Sequence, residues 1–171
     1  MRMCTDRRRF AIAAAALTAA AVVSLPAHHA SARGGEWEFL AFTPGEAACG
    51  DTIVKMTTSV NKEYFREATL PDETISWQVT GSLGVIYAAD NGKSVTVNAS
   101  GPGHLLIHTN GDVQVQAKGL NSYTFTEDQA QTLGVPQISV SAGPLDVTWH
   151  PDGTVEGHLG NIIRDVCAEL T

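Results

Sequence analysis

Beyond residue 32 the chain has few basic residues, and this scarcity excludes one large class of functions. Residues 33–171 contain seven lysine and arginine residues against 17 aspartate and glutamate residues, a formal net charge of −10. Nucleic-acid binding requires clustered lysine and arginine to displace counterions, and anionic membrane surfaces attract the same clusters. We therefore expect no nucleic-acid partner, and the charge favours solubility outside the cell.

Long apolar runs and catalytic sequence motifs are also missing. The apolar run at residues 10–25 is 16 residues long, fewer than the roughly 20 that cross a bilayer as a helix, so we expect no stable membrane insertion once the chain is processed. The chain has no G-x-S-x-G or H-E-x-x-H motif. This removes common signals for a serine nucleophile or a helical zinc site. The sequence thus implies no cofactor and names no reaction.

The N-terminal segment has the three parts of a cleavable secretory signal. Arg2 and residues 7–9 supply a basic start, the apolar run follows, and the small residues at 30–32 end it. We predict that residues 1–32 are removed after Ala32 and that residues 33–171 form one secreted domain, extracellular or associated with the cell wall. Residues 7–10 also fit a twin-arginine signal, so both export routes remain open.

Two cysteines, Cys49 and Cys167, follow the signal, whereas Cys4 leaves with it. Two cysteines in an oxidising compartment pair with each other, which predicts a Cys49–Cys167 disulfide. The bridge would close a loop of about 119 residues and stabilise the fold by roughly 4–5 kcal/mol in the chain-entropy model. The alternative is two free thiols, one of them catalytic, but the sequence shows no activating histidine-rich neighbourhood.

Apolar residues beyond the signal alternate with a period of two, in short runs separated by turn residues. The clearest runs are residues 75–80, 94–99, 113–117 and 145–149, with less regular ones such as 52–60 and 154–159. This alternation indicates half-buried strands, and the Asn-Gly or Asp-Gly pairs at 91, 110 and 152 favour hairpins. We predict an all-β antiparallel barrel, with a β-sandwich as the alternative.

One helix is predicted, at the end of the chain. Over residues 161–170 the apolar residues fall near one helical face, and Asn161 is placed to cap the first turn. The paired carboxylates Glu127 and Asp128 are expected in a polar loop. Trp77 and Trp149, at alternating strand positions, are expected in the core.

Five segments carry a resemblance to a known group of proteins. They combine turn residues, strand residues and the two cysteines: CGDT at 49–52, TLPD at 69–72, SVTVNASGPG at 94–103, DGTV at 152–155 and DVCA at 165–168. Together they resemble a family of small exported actinobacterial β-rich proteins of uncharacterised function with two mature cysteines. The resemblance covers most of the chain from Cys49 onward. It implies a shared fold and disulfide, and it transfers no active site.

Three residues are candidates for acid–base or ligand chemistry: His104, His108 and Asp146. The two histidines have the spacing of a helical metal pair, but on a strand this spacing separates them by roughly 13 Å, so we predict no metal site. Asp146 faces solvent or, in a barrel with an apolar outside, the lumen, where it would serve as a general base. His150 and His158 flank a turn, where solvated side chains are the simpler interpretation.

Two classes of function remain. The preferred one is an exported, non-enzymatic module that binds a small apolar ligand or a cell-envelope partner. The alternative is a small barrel enzyme of cyclase, isomerase or lyase type, in which a shaped cavity and one or two polar groups suffice. An enclosed cavity of about 300 Å³ with convergent groups such as His104, His108 or Asp146 favours the enzyme, and a filled core favours surface recognition.

Overall fold

The fold is that of a computed structural model, which describes residues 35–171. The predicted signal peptide at residues 1–32 lies outside the described residues. The strands are β1 (Glu38–Phe39), β2 (Gly45–Cys49), β3 (Thr52–Thr69), β4 (Ile75–Ala89), β5 (Ser94–Asn98), β6 (Gly103–Ile107), β7 (Val113–Ala117), β8 (Leu120–Thr124), β9 (Ile138–Ala142), β10 (Leu145–Trp149), β11 (Val155–His158) and β12 (Asn161–Asp165). The helices are α1 (Glu127–Leu133) and α2 (Val166–Leu170).

The strands form two antiparallel sheets, which confirms the predicted all-β class. Sheet A has the order β1-β3-β4-β6-β7-β10-β11, with β2 also paired to β3 and β5 also paired to β4. Sheet B has the order β12-β9-β8. Within residues 35–171 the strand order of sheet A ends at β1 and β11, and no sheet closes on itself. The predicted barrel is therefore not confirmed.

A long hairpin of β3 and β4 joins the two halves of sheet A. The register of the hairpin shifts between Thr58 and Val60, which inserts a bulge near its middle. Gly81 lies opposite Glu63 with a φ of 135°, and a Cβ there would be 2.7 Å from the Glu63 Cα. Residues 52–58 and 84–89, at the open end of the hairpin, pair with β2 and β5, and we call this the near half. Residues 60–69 and 75–83, at its turn, pair with β1 and β6, and we call this the far half. Bulge and glycine together allow the sheet to bend between its halves.

Sheet B separates two hydrophobic clusters. Ile138 and Val140 of β9 pack with Val54, Val85 and other residues of the near half of sheet A. On the opposite face, Tyr123 of β8 packs with residues of β7, β10 and β11. Strand β9 is consequently buried on both faces, including Ser139 and Ser141. The small sheet is thus an inner layer, with the bent sheet A covering both of its sides.

The two tryptophans expected in the core are buried, as predicted. Trp149 stacks on Phe125 with ring centroids 5.9 Å apart. Trp77 lies 4.7 Å from the ring of Phe65 and donates its indole N–H to Glu67 Oε2 at 2.8 Å. Both side chains therefore point to the inner side of sheet A, and the residues that alternate with them point to the outer side.

Four hairpin turns, at residues 70–74, 89–93, 108–112 and 150–154, share one geometry. In each, the first amide donates to the fifth carbonyl and the fourth amide donates to the first carbonyl. The third residue is Asp or Asn, and its side chain accepts from the fifth amide. The fourth residue has positive φ and is glycine in three turns but Glu73, at 67°, in the first. The predicted Asn-Gly and Asp-Gly hairpins are confirmed.

The C-terminal helix is shorter than predicted, and its cap was wrongly assigned. Residues 161–165 form β12, which pairs with β9, and α2 begins only at Val166. The side chain of Asp165, not that of Asn161, accepts from the amide of Ala168. The paired β-branched residues Ile162 and Ile163 suit a strand, and tertiary pairing outweighs the helical spacing.

A second helix was missed. The prediction that Glu127 and Asp128 lie in a loop is wrong, because they form the first turn of α1. Thr126 and Gln129 make a reciprocal capping box, in which each side chain accepts from the other residue's amide. The two carboxylates suit the positive end of the helix dipole.

The predicted disulfide is present. The Sγ atoms of Cys49, at the end of β2, and Cys167, in α2, are 2.05 Å apart. The bridge fastens α2 to the near half of sheet A. Neither α1 nor α2, the helices of residues 35–171, has the length and apolar character needed to cross a bilayer.

Candidate functional site

The side of sheet A that faces away from sheet B carries a continuous row of polar side chains. Strand pairing places six of its members next to one another on the six successive strands from β3 to β11, and the seventh member lies just before β1, against the β3 member. We name as the polar row the residues Trp37, Arg66, Gln78, His104, Gln116, Asp146 and His158. The residues that alternate with them in the sequence are largely buried, which assigns the row to the outer face.

Hydrogen bonds hold the centre and one end of the polar row in place. Both carboxylate oxygens of Asp146 accept from glutamine amides, Oδ1 from Gln114 at 2.7 Å and Oδ2 from Gln116 at 3.2 Å. Arg66 Nε donates to Gln78 Oε1 at 2.7 Å. These contacts fix the orientation of long side chains before any partner arrives, which lowers the entropy cost of binding.

Exposed aromatic side chains occupy the β1 end of the same face. Trp37 is 45% exposed, Phe39 55% and Tyr64 44%. The guanidinium carbon of Arg66 lies 5.1 Å from the centroid of the Trp37 ring, and Phe39 meets Tyr64 edge to face at 6.0 Å. Large aromatic groups left in contact with water on a polar face are typical of recognition surfaces.

A histidine–aspartate pair lies at the turn end of this face. His150 Nδ1 is 2.9 Å from Asp112 Oδ1, and its Nε2 is 3.7 Å from a carboxylate oxygen of Glu156. The hydrogen bond to Asp112 raises the pKa of His150, and the same bond lowers the pKa of Asp112. The pair was not predicted, because it joins two turns whose proximity depends on the β7–β10 pairing.

The structure places the three candidate residues on this outer face and does not bring them together. His104 lies in the polar row, whereas His108 lies in the 108–112 turn, 3.3 Å from Thr74 Oγ1 and 3.4 Å from Gln114 Oε1. Asp146 contacts glutamines rather than a histidine nitrogen. All four histidines that follow the signal lie on this one face, a fact that sequence spacing did not reveal.

The two histidines that flank the 150–154 turn do not approach each other. His158 pairs with Asp146 on the neighbouring strand, and Asp146 lies four residues before His150. The rings of His150 and His158 therefore lie roughly 13 Å apart along the strands. Among residues 35–171, no group of three or more histidine, cysteine, aspartate or glutamate side chains is placed to hold a metal ion.

Among residues 35–171, one carboxylic acid lies in the interior. Glu63 is 8% exposed, and its backbone amide donates to Asn61 Oδ1 at 3.0 Å. Burial raises the pKa of Glu63 to about 7. Burial raises the pKa of the Tyr123 phenol, and the charge of Glu63 raises it further. Sequence reasoning missed Glu63 because it follows Asn61 and Lys62, and a glutamate after polar residues is normally solvated.

Comparisons of the chain with protein-family models, with curated proteins and with solved structures found no match. The meaning of the outer face therefore rests on its own geometry and chemistry.

Proposed function

We propose that the chain is an exported, non-enzymatic module that binds a cell-envelope partner through the outer face of sheet A. The observation that carries this proposal is the combination of Trp37, Phe39 and Tyr64, all exposed, with a pre-oriented polar row on one surface. Recognition surfaces combine exposed aromatic anchors with polar groups whose hydrogen bonds are already aligned.

The shape of this surface favours a cell-envelope partner over a small apolar ligand. A small apolar ligand needs an enclosing pocket, whereas the polar row extends across six strands of an open sheet. The open ends of sheet A also support the sandwich alternative over the barrel. His104, His108 and Asp146 lie apart on the outside, so they give the enzyme alternative no convergent acid–base pair.

The export part of the proposal is supported by two features. The N-terminal segment has the basic start, apolar run and small-residue end of a secretory signal, and disulfides such as Cys49–Cys167 persist in oxidising compartments. We further propose that the chain belongs to the exported actinobacterial group that its five motif segments resemble.

Sedimentation with cell-envelope fragments tests the binding function. The secreted protein is mixed with washed fragments of the producing cells and centrifuged, and the Trp37→Ala variant is compared with Ile163→Ala. Ile163 is a matched control because it is also apolar and 56% exposed, but it lies on sheet B. We expect the native protein and Ile163→Ala to sediment and Trp37→Ala to stay in solution. A native protein that stays in solution, or equal retention of both variants, would refute the proposal.

A further inference from the structure

We infer that the partner is a linear, uncharged polysaccharide that lies along the polar row, across the strands of sheet A. The inference rests on the proposed function and names the chemical class of the partner. It is carried by the length and spacing of the row, by the chemistry of its side chains and by its charge.

The row presents one side chain per strand at a regular interval. Neighbouring strands lie about 4.8 Å apart, so the six strands from β3 to β11 carry a row about 24 Å long, which Trp37 extends on the β1 side. A polymer with a repeat of about 5 Å, such as a chain of pyranose rings joined through opposite ring positions, meets about one side chain per unit. An extended peptide advances only about 3.4 Å per residue and pairs with a sheet edge through its backbone instead of crossing a face.

The side chains of the row suit sugar hydroxyl groups. Amide, carboxylate, imidazole and guanidinium groups are planar and offer donors and acceptors side by side, which matches the neighbouring hydroxyls of a sugar ring. Gln116 and Asp146 form such a linked pair at the centre of the row. At one end, Trp37 offers an exposed aromatic surface on which the C–H face of a sugar ring packs.

The charge of the row points to an uncharged polymer. Arg66 and Asp146 carry opposite charges and the histidines of the row are formally neutral, so the row has no net charge. Residues 33–171 as a whole carry −10, which repels a polyanion. A polycation would be drawn to the acidic surface in general, without preference for a neutral row.

Titration with defined oligosaccharides tests the inference. The secreted full-length protein is titrated calorimetrically with cellohexaose and with chitohexaose, and with hexagalacturonate as the charged comparison. We expect at least one neutral hexasaccharide to bind. Trp37→Ala and Gln116→Ala should each weaken binding by about tenfold, as loss of a residue that contributes strongly to binding does, while Ile163→Ala changes it less than about twofold. Circular dichroism of each variant confirms that the fold is retained.

Failure of this inference is distinguishable from failure of the proposed function. If neither neutral hexasaccharide binds at millimolar concentration, or if hexagalacturonate binds as well as they do, the inference is wrong. If the protein still sediments with envelope fragments, and protease treatment of the fragments abolishes retention, the partner is a protein and the binding function stands. If the protein does not sediment with the fragments, both proposals fall.

Discussion

Replacement of the buried Glu63 by glutamine should stabilise the protein at alkaline pH and leave it unchanged in acid. Burial raises the pKa of Glu63 from an ordinary value of 4.5 to about 7 in the folded protein. Below pH 4.5 the group is protonated in both the folded and the unfolded chain and costs nothing. Between pH 4.5 and 7 only the unfolded chain releases the proton, so the free energy of unfolding falls as the pH rises.

The size of this effect follows from the two pKa values. Their difference corresponds to roughly 3 kcal/mol, at about 1.4 kcal/mol for each pKa unit. Remaining contact of the carboxylate with solvent reduces this figure, and we expect about 2 kcal/mol. Glu63→Gln has a neutral side chain of the same shape at every pH and therefore lacks the penalty. The gain should be complete above pH 7 and absent near pH 4.

Urea unfolding at pH 4 and pH 8, followed by the fluorescence of the buried tryptophans, measures the difference. Glu46→Gln is the matched control because Glu46 is exposed on β2, and it should change the free energy of unfolding by less than about 0.5 kcal/mol at either pH. The reasoning is refuted if Glu63→Gln differs from the native chain by the same amount at both pH values, since its carboxyl would then not titrate between them.

Three further predictions concern the turns, the disulfide and the histidine pair. Glu73→Gly should raise the free energy of unfolding by about 0.5–1 kcal/mol, because it removes a non-glycine residue from a left-handed conformation. Gly153→Ala in the equivalent turn should lower the free energy of unfolding by about 1 kcal/mol. Calorimetry that shows equal shifts for the two variants would contradict this. Replacing both disulfide cysteines by alanine should cost up to about 4–5 kcal/mol in urea unfolding. Asp112→Asn should lower the pKa of His150, measured by NMR titration of its ring protons, since the lost hydrogen bond is what raises it; an unchanged pKa would show that the pair does not form.

Features encoded by neighbouring residues were predicted correctly from the sequence. The strands around Trp77 and Trp149, the Asn-Gly and Asp-Gly turns, and the disulfide each depend on local alternation, on the φ freedom of glycine, or on a cysteine count that leaves one pairing. These signals need no knowledge of which strands lie side by side. The physical causes of the strands and turns act over a few residues, and the disulfide requires only a count of cysteines, so all three can be recognised in one sequence.

Features that depend on tertiary contacts were not predicted. The far half of β3 has charged residues on both faces, and Glu63 points inward where an apolar residue would normally mark a strand. Ile162 and Ile163 fit a helix and a strand equally well until β9 is known to be their neighbour. Helix α1 has seven residues, too few to show a period, and its local signals are the capping box at Thr126, the two carboxylates of its first turn and Gly134 at its end.

The polar row lies between these two cases, because the turns fix most of it. In the 108–112 turn, His104 stands four residues before the first position and Gln116 four residues after the last, so identical turn geometry makes them partners. The same count places Arg66 opposite Gln78, and Asp146 opposite His158. Three hairpins with one turn type therefore present three pairs at one height, and lateral pairing of the hairpins joins the pairs into a row. The outer face is thus a consequence of turn chemistry, and any insertion into one of these turns would shift its pair to a different height and break the row.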